Sequence, residues 1–262
     1  MIFRRSKATN AADAFPLLVL ADKYVADDIE CMIEYQIRQD WPKSVYEWDA
    51  FENRAVHMYR MHQQRSGDGP WDTLVPEPAS YIRLARIAKV PERTRIGAAF
   101  YQLSRMKVVN DWETRNTAGG PEDPTPTQLA KMRRAMWSIL SKDELRRVER
   151  GKEKLASHAA RFARTLPREL DLHMKCAKGW NMAAAKLVKS DDIFADLLEL
   201  CSAENTELRM YMCDPCLRKV SRGAKAERCE IWAKLPDYFE VYPNERAHFD
   251  TFCTAESEFV LM

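Results

Sequence analysis

The sequence predicts an all-α protein, an irregular multi-helix bundle assembled from helical hairpins. Three observations lead there. Apolar residues recur at three- and four-residue intervals along most of the chain. The alternating Val, Ile and Thr runs that mark strands are almost missing. Gly is scarce, at 8 of 262 residues, while Ala, Leu, Glu, Arg, Lys and Met are frequent. With 46% hydrophobic and 10% aromatic content, the chain carries enough apolar side chain for one large core or two modest ones.

Residues 1–14 read as an N-terminal arm, and residues 15–115 as a first set of helical hairpins. In FPLLVLADKYVADDIEC, Leu17, Leu18, Leu20, Ala21 and Tyr24 keep helical spacing, as do Ile29, Met32, Ile33 and Ile37 beyond an acidic turn at Asp27 and Asp28. Pro42 breaks the pattern. Ser44 and Glu47 then form a capping pair, in which each side chain satisfies an orphan backbone N–H, and the helix they open runs to about Gln64. SGDGPWDTLVPEP, residues 66–78, collects Gly67, Gly69, Pro70, Pro76 and Pro78 and reads as a loop, with Pro78 placed to open the next helix. The segment EPASYIRLARIAKVPERTRIGAAFYQLSRM repeats the opening design, Leu84-Ala85 matching Leu20-Ala21 and Pro91-Glu92 falling where Asp27-Asp28 stand. One such echo falls short of the roughly three units a solenoid needs. Residues 116–128 are turn-forming throughout and read as a linker loop, whose end TPTQ supplies a cap with proline at the first helical position. Residues 129–241 form a C-terminal helical region and 242–262 an acidic tail.

The 41 basic and 39 acidic residues leave a net charge of +2, so nothing global recruits nucleic acid or anionic lipid. Charge is patterned locally instead. Residues 131–168 hold twelve basic residues, from Lys131 to Arg168, against Asp143, Glu144, Glu149 and Glu153. Such a stretch can grip a nucleic acid, but the charges sit between Met136, Leu140, Leu145, Val148 and Leu155, the pattern of a helix with one solvated face. The acidic residues after Pro236, among them Asp237 and Glu240, offer that basic face an internal partner. The N-terminus lacks the apolar region of a signal peptide, and no stretch reaches the roughly 18 apolar residues of a membrane span. The seven cysteines read as reduced thiols. An intracellular chain, cytoplasmic or nuclear, is expected.

The sharpest chemical signal is CDPC at 213–216, because two thiolates at that spacing can share one metal ion and zinc then asks for two further ligands. HMKC at 173–176 has the same gap, so His173, Cys176, Cys213 and Cys216 form a candidate zinc set, across an interval longer than the roughly 12–20 residues of common zinc modules. The bland alternative is core packing of small hydrophobic thiols. Cys229 reads as core. His57 and His62, five apart on a helix, diverge around its axis; His158 and His248 read as surface or capping residues. The seven tryptophans are scattered and read as core. No phosphate-binding glycine loop, nucleophile elbow or zinc-protease motif occurs, and neither a catalytic residue nor a bound cofactor is expected.

LLVLADKYVADDIE, RQDWPKSVYEWD, PEPASYIRLARIAKVPE, AAFYQLSR, CDPCLRK and EIWAKLPDYFEV taken together resemble the BTB/POZ-domain proteins abundant in mushroom-forming fungi. The resemblance runs from about Phe15 to Val241. It implies that FPLLVLADKY closes a BTB domain and that a helical extension follows; relatives often carry cysteines at the positions of Cys176, Cys213 and Cys216. Only fourteen residues precede Phe15, against the 80 to 100 expected for the β-rich part of such a domain, so BTB-type dimerisation and cullin binding are not carried over. Helices that would otherwise pack on that sheet are expected either to expose Leu17, Leu18 and their neighbours or to pack on the second hairpin, and the echoed pattern favours the second. The expected function is a truncated, non-enzymatic protein–protein interaction module of BTB/POZ type with an unidentified protein partner. The alternative is a nucleic-acid-associated regulator using the basic helices 131–168 with a zinc knuckle.

Overall fold

A computed structural model describes residues 7–64, 71–87, 92–113, 121, 123–169, 174–202 and 206–241. Among these residues the chain forms eleven α-helices and two short 3₁₀ turns, with no β-strand beyond a single bridge between Asp111 and Ala135. The protein is all-α, as expected.

The opening hairpin is α1 (Asn10–Lys23) and α2 (Asp27–Arg38). Helix α1 starts inside the stretch expected as an arm, so residues 10–14 are helical, with Asn10, Ala11 and Ala14 buried. The turn itself is Tyr24 to Ala26, with Val25 at a φ of 54°, and Asp27 and Asp28 are the first turn of α2, where carboxylates favour the positive end of the helix dipole. Ser44 caps α3 (Val45–Gln64): the backbone N–H of Glu47 donates to Ser44 Oγ at 3.2 Å, while the Glu47 carboxylate accepts from the backbone of Lys43 at 2.9 Å. Pro78 opens α4 (Pro78–Ile87), whose first turn is held by the Glu77 carboxylate, accepting from Ala79 N–H at 3.0 Å. Helix α5 (Arg93–Arg105) completes the second hairpin; the turn residue Pro91 lies outside the described residues, as do 65–70. Helix α1 packs on α4, so the first hairpin does lie against the second.

Thr125 caps α6 (Pro126–Met132) with Pro126 at the first helical position, and Gln128 reaches back to the Thr125 N–H at 2.9 Å. Local chemistry legible in TPTQ is therefore enough to end the linker, most of whose other residues lie outside the described set. The basic stretch is interrupted after α6, and α7 (Lys142–Glu169) begins only where Ser141 and Glu144 satisfy each other's backbone N–H groups. Helices α8 (Met174–Val188), α9 (Ile193–Cys201), α10 (Thr206–Tyr211) and α11 (Asp214–Tyr238) follow. The acidic tail 242–262 lies outside the described residues.

One apolar core runs through both halves, from Leu18 and Ile33 to Trp232 and Leu235. Its centre is aromatic: Trp48 lies 5.3 Å from Tyr101 and 5.9 Å from Trp232, and Tyr101 meets Phe194 edge-on at 4.9 Å. Helix α11 reaches this centre because α5 carries Gly97 at the crossing, where a Cβ would come within 3.0 Å of the Pro236 nitrogen. Six of the seven tryptophans are buried, in keeping with their reading as core.

Candidate functional site

The buried stripe of α1 is Ala11, Ala14, Leu18 and Ala21, and that of α2 is Ile33 and Ile37 with Glu30 and Glu34. Small alanines let α1 lie close against α4, and this choice of face turns the other large residues outward. Leu17, Val19, Leu20, Tyr24, Val25, Ile29, Met32 and Tyr35 are 41% to 77% exposed. Both outcomes foreseen for this hairpin therefore coexist: Leu18 packs inward, and Leu17 does not. The exposed carboxylates of Asp22, Asp27 and Asp28 flank the apolar residues at the hairpin's turn.

At the opposite end of the chain, three of the four residues expected to hold zinc converge. The sulfurs of Cys176, Cys213 and Cys216 lie within 4.8 Å of one another. Cys176 Sγ is 3.6 Å from Cys213 Sγ and accepts the backbone N–H of Cys213 at 3.4 Å. Cys213 is the N-cap of α11 and Cys216 stands in its first turn, with Pro215 between them, while Cys176 comes from the first turn of α8. Gly179, one turn further along α8, is what permits the approach: a Cβ there would come within 2.8 Å of both Met212 and Tyr211, the residues leading into Cys213. Cys176 and Cys216 are buried and Cys213 is half-buried. His173 lies outside the described residues.

A buried ionic network joins the two halves. Arg105 pairs with Glu52 at 2.6 Å and with Asp192 at 2.7 Å, and Asp192 also accepts from the hydroxyls of Tyr101 and Thr127, each at 2.7 Å. Burial pushes the Asp192 carboxyl up, but the Arg105 guanidinium and those two hydroxyl bonds more than offset it, holding the group below the usual aspartate range. For Glu52 burial wins, and its carboxyl is raised despite Arg105. Beside this network a cleft of about 410 Å³ is lined by Arg105, Lys107, Lys131 and Lys152 among others. Its cations are largely matched, Lys131 by Asp191 at 2.7 Å and Lys152 by Glu149 at 3.3 Å.

His158, expected near the surface, is buried between α7 and α11, where it meets Glu227, the Tyr238 hydroxyl and Arg161. Burial pushes the Tyr238 phenol up to about 12. Cys229, expected in the core, is exposed instead, because α11 turns Arg228, Ile231 and Trp232 inward to meet α3, α9 and its other neighbours. Two cations of the basic stretch meet the acidic partner expected for it, Arg150 and Lys154 both binding Glu240 at 2.8 Å, while Asp237 is taken by Arg93 of α5 at 3.0 Å. Within the stretch Arg147 pairs with Asp143 at 2.8 Å, and Arg134 is buried against Asp72 at 2.7 Å.

No family model, curated protein or solved structure matches the chain. No helix among the described residues is long and apolar enough to cross a membrane.

Proposed function

We propose that this chain is a non-enzymatic protein–protein interaction module of BTB/POZ type, with the outer faces of α1 and α2 as its docking surface. The observation that carries the reading is the exposure of Leu17, Leu20, Tyr24, Ile29, Met32 and Tyr35 on one helical hairpin. Leaving so much apolar surface in water costs free energy, roughly 25 cal/mol per Å², which a partner's surface recovers. Leu17, Leu20 and Tyr24 repeat at helical spacing, so they form a stripe suited to a complementary apolar stripe. The flanking aspartates favour a partner whose apolar surface is rimmed by basic groups. The BTB resemblance supports the same end of the chain, since LLVLADKY is the second half of α1 and its C-cap. On the other side of the balance, the pairing of Arg147, Arg150, Lys152 and Lys154 with acids on and beside α7 weighs against the nucleic-acid alternative, because phosphate would have to displace them.

The test is affinity capture from native cells with the wild-type chain beside the double variant Leu20→Lys, Ile29→Lys, whose fold is checked by circular dichroism. The reading expects a discrete set of proteins retained by the wild type and lost with the folded variant. Identical sets would reject it, and a concentration-dependent dimer of the purified chain, abolished by the variant, would replace the foreign partner with a second copy.

A further inference from the structure

We propose that Cys176, Cys213 and Cys216 bind one zinc-class dication as thiolates, clamping the start of α8 to the corner where α10 meets α11. The inference is independent of the docking surface, which lies on other helices. Zinc–sulfur bonds are about 2.3 Å long, so two sulfurs on a tetrahedral ion stand about 3.8 Å apart. Cys176 and Cys213 are separated by 3.6 Å, and all three sulfurs fall within 4.8 Å, so an ion fits with small side-chain adjustments. A disulfide, by contrast, needs about 2.05 Å and could engage only two of the three.

All three thiols border the apolar core, but filling that core does not require thiols to converge from two places 37 residues apart. The corner also has the means to hold negative charge. Cys213 and Cys216 sit at the N-terminus of the 25-residue α11, where the helix dipole favours anions. The backbone N–H of Cys213 already points at Cys176 Sγ, the kind of outer hydrogen bond that fixes a metal-bound thiolate. On binding, three thiols each release a proton to solvent and three sulfur–metal bonds form, with no change of oxidation state. Three thiolates and a dication leave one net negative charge at the helix N-terminus. Gly179 keeps α8 close enough for this to happen, and the resulting clip closes the loop that contains α9 and α10.

The experiment uses the full chain, purified under reductant from cells grown with zinc, with metal content measured by elemental analysis. Cobalt(II) is then titrated into the chelator-treated protein, since thiolate-to-cobalt charge transfer reports sulfur ligation directly. The wild type is expected to carry about one zinc per chain and to show the cobalt–thiolate bands at one equivalent. Cys213→Ser should weaken cobalt binding about a hundredfold or more, beyond what loss of an outer hydrogen bond costs. Cys229→Ser, at an exposed site on α11, should leave it unchanged. Zinc below about 0.1 per chain together with a cobalt spectrum lacking charge-transfer bands would overturn the proposal, and this readout needs no variant to fold. Equal cobalt affinity in the Cys213 and Cys229 variants would overturn it as well.

Discussion

The opening hairpin and the seam between the two halves treat their side chains in opposite ways. On α1 and α2, Leu17, Leu20, Tyr24, Ile29, Met32 and Tyr35 face water, while the core takes the alanines and Leu18 of α1 and Ile33 and Ile37 of α2. At the seam of α3, α5, α9 and α11, even charged groups are buried, and Arg105, Glu52 and Asp192 are sealed among Trp48, Tyr101 and Phe194. Exposed apolar groups add little to the stability of the isolated chain, whereas a buried charge network is worth much once any one partner is removed. The difference separates what holds the molecule together from what it can offer to others. Substitutions should therefore divide cleanly into those that unfold the protein and those that leave it folded but unable to bind.

The largest effect is expected at the seam. Asp192→Asn leaves Arg105 buried with a weakened counterion and also weakens the N-cap of α9, and should cost about 3–5 kcal/mol in urea unfolding. A loss under about 1 kcal/mol would mean that the network is not sealed. The same residue sets the acid behaviour. Because its folded-state carboxyl lies below its ordinary value of 3.8, its contribution is complete above that value and is lost as pH falls through the lowered one. Glu52 has the opposite sense: its raised carboxyl prefers the protonated form when folded, so its contribution declines as pH climbs from 4.5 towards the raised value. Thermal unfolding followed from pH 7 into acid should show a late acid decline in the wild type, flattened in Asp192→Asn.

Next in size is the thiol corner. Gly179→Val should press on Met212 and Tyr211 and cost about 1–3 kcal/mol, while also displacing Cys176 from Cys213. Its unfolding midpoint and thiol geometry should change together. Smaller again is Thr125→Ala, which removes the capping bond to Gln128 N–H and should cost about 1 kcal/mol. The smallest effect on stability belongs to the open face: Leu20→Lys should alter unfolding by no more than about 0.5 kcal/mol in the isolated chain. A large loss there would place Leu20 in the core and erase the contrast between the two regions.

What could be read in the sequence was local. Thr125 with Pro126, Ser44 with Glu47 and Pro78 all act within a few residues, so their roles as helix starts were legible. Cys213 and Cys216 were legible in the same way as neighbours at a helix start. Cys176 joins them only through the approach of α8 at Gly179, a tertiary event for which spacing suggested a pairing but no geometry. The division of Leu17 from Leu18 depended on α1 beginning at Asn10 and on α4 selecting the alanine stripe. Arg105, Glu52 and Asp192 carry no local pattern, since their meeting needs three separate helices, and the same is true of His158 with Glu227 and Tyr238. Cys229, expected in the core, faces solvent because α11 buries Arg228 against Asp49, at 2.5 Å, leaving the adjacent position outside.

The central claim, that the open hairpin face is where this molecule meets another protein, is tested most directly by site-specific crosslinking. A photoreactive amino acid is placed at position 20 on α1 or, for comparison, at the exposed position 218 on α11, and the chain is irradiated in native cells. A discrete protein adduct from position 20, missing from position 218, is the expected result. Indistinguishable adducts from the two positions, or none from position 20, would contradict it.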